Sequence, residues 1–247
     1  MKILLTNDDG YGEAGLEALI DVLSKEHEVW VVAPDQNRSA VSHGFTMRDP
    51  LCFIEKDSQK FTCSGLPVDC VDVGSKVITN GLPDVVVSGI NKGANIGTDI
   101  LYSGTAAAAR HASMRGIPGI AVSLNSDKAN TWNYKPLAEF IEKNLENLIK
   151  LCEKDIFVNV NAQDSVALKG WRFTVPSQRM YQDFPKTFKA PNNSVYSFFD
   201  STGVSTDKIE GTDYTCVEDG YVSISRILAQ PCSAGVNDCL QKLDFMI

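Results

Sequence analysis

The chain opens with a strand, a helix and a strand spaced so closely that few folds accept them. Ile3, Leu4, Leu5 and the β-branched Thr6 form one unbroken buried run. Gly15–Lys25 then places Leu16, Leu19, Ile20 and Leu23 on one helical face. Val29–Ala33 (VWVVA) is a second buried run. Strand, helix and strand joined by short connections make a right-handed parallel βαβ unit. The alternation continues with predicted strands at Val85–Val87, Gly119–Ser123 and Ile156–Val160. Helices are expected from Gly65–Pro67 to about Val77, over the small-residue run Thr105–Met114, and over Pro136–Cys152. The pattern is that of an α/β protein with a doubly wound parallel sheet. Between the second and third strands, Phe45–Met47, Leu51–Ile54 and Phe61–Cys63 read as short β segments.

From about Asn161 the alternation gives way to short β-like runs, Trp171–Val175, Val195–Phe199 and Tyr221–Ile227, separated by polar loops. Residues 1–160 are therefore expected to form the core and residues 161–247 an irregular β-rich extension, closed by a short helix at Ser233–Phe245. Exposed β segments in such an extension favour pairing with another chain, because unpaired strand edges are a liability.

Charge narrows the function classes. The net charge of −8 argues against a nucleic-acid-binding surface, which is usually basic. Phosphate binding is then expected only at a local site built from backbone donors or a metal. Asp8 and Asp9 interrupt the N-terminal apolar run too early for a secretory signal. No apolar stretch approaches the ~20 residues needed to span a membrane. Seven cysteines, an odd number without a C-x-x-C pair, read as reduced cytosolic thiols used as small apolar residues. Their spacings, with only three histidines, do not fit a zinc site.

The first strand ends in Asn7-Asp8-Asp9-Gly10. Two adjacent carboxylates repel each other, and no basic residue nearby in sequence relieves them, so a hard divalent cation is one solution. A solvated turn is the other, since Asn, Asp and Gly are good turn formers. The remaining loops favour the cation. In doubly wound sheets ligands sit beyond the C-terminal strand ends, where the strand order reverses. Three loops leave such ends here: Asn7–Tyr11, Pro34–Gly44 and Ser88–Gly104. The last (SGINKGANIGTDILYSG) carries Gly89, Gly93 and Gly97 at every fourth position with Asn91 and Asn95 between them, a spacing that suits backbone wrapped around a ligand. Its end, Ser103-Gly104-Thr105, opens the Ala-rich helix, where free N–H groups and the helix dipole make a phosphate cradle. The loop lacks the Lys-Ser/Thr of a Walker A motif, and the first turn has Asn7-Asp8-Asp9, which would repel a bare pyrophosphate, where a dinucleotide fingerprint has glycines. Oxygen ligands from Asp, Asp, Ser and Asn suit Mg²⁺, Mn²⁺ or Ca²⁺. A metal beside a phosphate cradle implies metal-assisted phosphate hydrolysis.

Together NDDG at 7–10, APDxxRSA at 33–40, SGINxGxNxGxDxxYSGTAxAA across 88–108 and GYVSIS at 220–225 resemble the SurE (survival protein E) family. The resemblance covers most of the N-terminal two-thirds and returns near the C-terminus. It implies a Rossmann-like three-layer α/β core whose C-terminal extension reaches a partner subunit in a homodimer or homotetramer. The implied activity is that of a cytoplasmic, metal-dependent 5′-nucleotidase that also accepts 3′-nucleotides and short polyphosphate. Carried over by motif, one divalent cation, Mg²⁺ or Mn²⁺, is held by Asp8, Asp9, Ser39 and Asn91. Asn95, Ser103, Gly104 and Thr105 fall where the family binds phosphate. The general base would be Asp8 or Asp9. The chain departs from the family pattern at Arg110-His111, at Ser177–Tyr181 and at Arg226, none of them in the implied metal shell.

Other side chains carry two readings each. His43 is either a leaving-group acid or a surface loop residue. Asp99 is either a third acid or a loop brace. Tyr102 either packs on a base or wedges into the core. Trp132, Trp171 and Tyr181 line either a nucleoside pocket or a subunit interface. A nucleotide-sensing module with little turnover and a dinucleotide-dependent oxidoreductase are the competing functions. Adjacent ligating carboxylates argue against the first, and the missing glycines against the second.

Overall fold

The structure is a computed structural model that describes residues 1–126, 132–182, 184–199 and 203–231. The strands are β1 (Lys2–Thr6), β2 (Glu28–Pro34), β3 (Phe53–Asp57), β4 (Lys60–Cys63), β5 (Val85–Lys92), β6 (Gly119–Asn125) and β7 (Ile156–Gln163), followed by β8 (Trp171–Phe173), β9 (Arg179–Tyr181), β10 (Lys186–Lys189), β11 (Val195–Phe198), β12 (Val204–Thr206) and β13 (Val222–Leu228). The helices are α1 (Ala14–Leu23), α2 (Pro67–Val73), α3 (Gly104–Met114), α4 (Lys135–Leu151) and α5 (Asp213–Glu218). A π-helical turn, Gly74–Ile78, extends α2. The main sheet has the order β3-β4-β2-β1-β5-β6-β7-β13-β8. From β4 to β7 every pairing is parallel. β3 and β13 run antiparallel to β4 and β7.

Alternation along the strands decides which helix each side chain meets. Ile3 and Leu5 of β1 face α1 and α4, packing with Leu16, Leu19, Leu23, Leu137, Ile141 and Leu145. Leu4 faces the other way, toward Cys70 and Val71 of α2 and Ala108 and Ala112 of α3. Each buried Leu, Ile or Val contributes about 1.5–3 kcal/mol relative to exposure. The result is the predicted three-layer, Rossmann-like core. The alanines of α3 are small because the helix lies almost on the sheet. A Cβ at Gly119 in β6 would come within 2.0 Å of the Ala109 carbonyl oxygen.

Several expectations change. Phe45–Met47 forms no strand, and the hairpin uses β3 and β4 instead. The third strand runs five residues past Val87, to Lys92, because Asn91 and Lys92 pair with Ser123 and Leu124 of β6. The main sheet also crosses residue 160: β13 pairs with β7 over Ser223–Leu228, and β8 lies beyond it. Two small ribbons, β10–β11 and β9–β12, complete the extension. The expected helix at Ser233–Phe245 lies outside the described residues. Among the described residues, no helix is long and apolar enough to cross a membrane. Cys63, Cys70 and Cys216 are buried, and all five described cysteines are free, as thiols used for packing would be.

Candidate active site

β1 lies between β2 and β5, so the strand order reverses at its C-terminal end. Connections leave in opposite directions there and open a crevice. Asn7 closes the loop after β1: its amide donates to the Gly10 carbonyl (2.8 Å) and accepts from the Gly10 N–H (3.2 Å). The loop after β2 lies on top, with Arg38 N–H donating to the Asp8 carbonyl (2.7 Å). The same loop is tied to the far side of the crevice. Ser42 donates its N–H to the Tyr102 carbonyl (2.9 Å) and its hydroxyl to the Leu101 carbonyl (2.7 Å).

Asp8 is the centre of the arrangement. It is 3% exposed. Its carboxylate accepts from the Gly104 N–H (3.0 Å) and the Thr105 hydroxyl (2.5 Å), so it caps the N-terminus of α3. The anion held at that helix end is Asp8 itself, where the sequence reading assigned these donors to a phosphate. Gly104 is required by the close approach: a Cβ there would lie 2.8 Å from Asp8 Cβ. Ser103 is the N-cap, its hydroxyl accepting from Ala106 N–H (3.0 Å). Asp9 accepts from the Lys92 backbone N–H (3.0 Å).

Asp8, Ser39, Asn91, Asn95, Asp99 and Ser103 line one cleft of about 250 Å³, with Tyr102 and Tyr181 on its wall. Burial pushes the Asp8 carboxyl above its ordinary range, against the pull of its hydrogen bonds. Burial raises Asp9 to about 6, and the neighbouring Asp8 and Glu13 charges add to this. The two acids resist joint ionisation in the protein alone, and a cation between them would reverse that. The donor chemistry fits a hard cation. The Asn91 amide donates to the Gly93 carbonyl (2.8 Å), which leaves its oxygen as the available donor atom. Ser39 uses only its N–H, toward Asn37 (2.9 Å), so its hydroxyl has no protein partner among the described residues. Among the described residues there is no group of three or more His, Cys, Asp and Glu side chains placed to hold a metal, so the candidate ligands are mixed oxygen donors.

Asn95 is held by residues the sequence reading passed over. Asn161 accepts from the Asn95 N–H (2.8 Å) and donates to its carbonyl (3.2 Å), as another peptide would. Asn159 donates to the same carbonyl (2.9 Å), and the Asn95 amide donates to the Ser123 hydroxyl (2.9 Å). The signal was present in the IFVNVNAQ stretch: two asparagines two apart in a buried strand share one face. Asn161→Ala would leave the buried Asn95 N–H unpaired. It is expected to cost about 1–3 kcal/mol of stability and to lower phosphate release. Urea unfolding and initial rates check this; unchanged values for both would remove the clamp.

The side chains with two readings also separate. Asp99 accepts from the Arg179 guanidinium and the Tyr181 hydroxyl, which ties β9 to the loop, and it also lines the cleft. Tyr102 is 55% exposed on the cleft wall and is not wedged in the core. Trp132 stacks on Tyr134, and Trp171 packs edge-on against Phe173 in β8. His43 lines a different cleft, beside Arg110. Burial and the Arg110 charge pull it down to about 4.

A doubly wound α/β core thus carries the buried Asp8, the half-buried Asp9 and oxygen donors at its switch point, a set whose chemistry suits a hard cation. The family profile described as "Survival protein SurE" matches residues 3–183. The chain belongs to the SurE family. The 5′-nucleotidase SurE of Treponema pallidum (strain Nichols) is 49% identical over 173 residues, covering 68% of this chain and 92% of that protein. The 5′-nucleotidase SurE of Thermoanaerobacter sp. (strain X514) is 42% identical over 235 residues, covering 92% of each chain. The crystal structure of the Sure protein from Aquifex aeolicus superimposes with a TM-score of 0.79 at 32% identity, over 93% of this chain and 94% of that one.

Proposed function

We propose that this chain is a divalent-metal-dependent 5′-nucleotidase that hydrolyses nucleoside 5′-monophosphates to nucleoside and inorganic phosphate. The relatives named 5′-nucleotidase SurE support the activity. The observation that carries it for this chain is the single cleft shared by Asp8, Ser39, Asn91, Asn95 and Ser103. Asp8, Asp9, Ser39 and Asn91 would hold one Mg²⁺ or Mn²⁺. When bound, the metal supplies a Lewis acid for a phosphate oxygen and a site for the attacking water. Gly104 and Thr105 act through Asp8, fixing the oxygens it presents. Asn95, held by Asn161 and Ser123, and the Ser103 turn receive the remaining phosphoryl oxygens. Asp9, with one oxygen tied to Lys92 N–H and its acidity lowered by burial, would be the group to take a proton from water. Nucleoside 3′-monophosphates and short polyphosphate are side substrates of the same cleft. Residues 1–160 form the catalytic core. Residues 161–247 supply the contacts of a homodimer or homotetramer working in the cytoplasm.

The test is inorganic phosphate release from a panel of nucleoside 5′-monophosphates with Mg²⁺ or Mn²⁺. EDTA is expected to reduce release to background, and excess metal to restore it. No metal-dependent release from any nucleotide or polyphosphate would overturn the reading.

A further inference from the structure

We propose, resting on the phosphatase reading of the cleft, that Lys92 is the residue that admits short inorganic polyphosphate: its ammonium holds the phosphate groups that follow the one attacked. The cleft has a volume of about 250 Å³. That is below the roughly 300–1,000 Å³ of sites that enclose a whole small molecule. Its buried residues, Asp8, Asn95 and Ser103, are those assigned to the metal and the reacting phosphoryl group. The rest of any substrate therefore lies at the mouth, which has to stay open in any assembly because substrate enters there. What stands at the mouth decides which substrates gain from it.

Lys92 lines the cleft and is exposed. Among the described residues, it is the only lysine, arginine or histidine on that lining. Strand β5 fixes its backbone, which pairs with Leu124 of β6 and gives its N–H to Asp9 (3.0 Å). An aromatic ring places the side chain. Its Nζ lies 5.8 Å from the centre of the Trp132 ring. Trp132 is itself stacked on the buried Tyr134, with ring centres 6.1 Å apart. A ring face attracts an ammonium without supplying a counter-charge, so the cation stays available. No carboxylate of the described residues forms an ion pair with it, although its charge reaches Asp9 and works against the burial that raises that acid. The two substrate classes differ in what they bring to this point. A nucleoside 5′-monophosphate carries its charge on the attacked phosphoryl group and turns an uncharged nucleoside to the mouth. A polyphosphate turns further phosphate oxygens there. Only the chain gains a charge-assisted contact, and an ammonium accepts phosphate as a point charge without demanding one geometry.

Initial rates of phosphate release from tripolyphosphate and from a nucleoside 5′-monophosphate, on the full chain at fixed free Mg²⁺, test this through the ratio of their kcat/KM values. Lys92→Gln is expected to lower that ratio about 10-fold, through the KM of tripolyphosphate, and Lys92→Arg to restore it. Added KCl should lower the wild-type ratio more steeply than the Lys92→Gln ratio, because salt screens an exposed charge. Lys143→Gln, the same change of charge at an exposed position of α4, should keep the wild-type ratio. A lysine that only braces Asp9 would affect both substrates alike, so an unchanged ratio in Lys92→Gln overturns the proposal. A wild type that releases phosphate from the nucleotide but not from tripolyphosphate overturns it too. Should neither substrate be hydrolysed, the phosphatase reading itself fails, and calorimetric titration of tripolyphosphate at the same free Mg²⁺ decides Lys92 separately. Affinity about 10-fold weaker in Lys92→Gln supports its role; equal affinity, or no saturable binding to the wild type, overturns it.

Discussion

Asp8→Asn is expected to abolish metal-dependent phosphate release while leaving the fold intact. Changes one bond removed from a metal ligand already cost roughly 10–100-fold in metal affinity or activity. Replacing an oxygen of the buried acid at the centre of the cleft should exceed that. The fold should survive because an amide fits the same partners. Its oxygen can accept from Gly104 N–H, and its NH₂ can donate to the Thr105 hydroxyl, which also accepts. In metal-free protein the substitution should leave the melting temperature unchanged or raise it, since a buried carboxyl that resists ionisation becomes a neutral group. Metal itself separates the two proteins. At a metal concentration of 100 Kd the wild type gains about 2.7 kcal/mol. The variant should gain little of it. Thermal unfolding with and without Mn²⁺, beside the phosphate assay, reads both effects. Full activity in Asp8→Asn would remove Asp8 from the metal shell.

Gly104→Ala is expected to lose activity and stability together. The added methyl would meet Asp8 Cβ at 2.8 Å, Asp8 Oδ2 at 2.9 Å and Pro67 Cγ at 3.1 Å. Asp8 Cβ is fixed to the end of a buried strand and has no flexible stem to swing away. Either α3 withdraws from β1 or the Asp8 carboxylate rotates off its two donors. Overpacking of this kind costs about 1–3 kcal/mol. Alanine's better helix propensity, about 1 kcal/mol in a helix interior, offsets part of it. The rate should suffer more, because a displacement near 1 Å in a reacting geometry can cost on the order of 10²-fold. Gly203→Ala, whose added methyl meets no atom of the described residues within 4 Å, is the comparison and should behave as wild type. A Gly104→Ala protein with normal kcat/KM would mean that α3 does not position Asp8.

Both predictions rest on a contact between residues 96 positions apart, which divides what the sequence carries from what it does not. The alternating buried runs Ile3–Thr6, Val29–Ala33, Val85–Val87 and Ile156–Val160 were legible because strands covered on both faces must be continuously apolar. The family motifs located the loops of the site, and β1 between β2 and β5 explains why those loops converge. Beyond that, local patterns were insufficient. Ser88–Lys92 looked like glycine-rich loop, yet it is strand, because β6 supplies a ladder partner that sequence spacing does not reveal. His43 follows Ser39 by four residues but turns into another cleft, because Ser42 anchors the loop to Leu101 and Tyr102.

The sequence by itself determined the parallel α/β core, the two acids at the end of its first strand and the family. Only the tertiary structure decided which partners the polar groups of the site face. Helix α3 delivers Gly104 and Thr105 to Asp8, and β7 delivers Asn159 and Asn161 to Asn95. The physical reason is one of range. Hydrophobic periodicity is set by neighbours within a few residues, whereas a buried polar group takes whichever partner the packed elements bring to it.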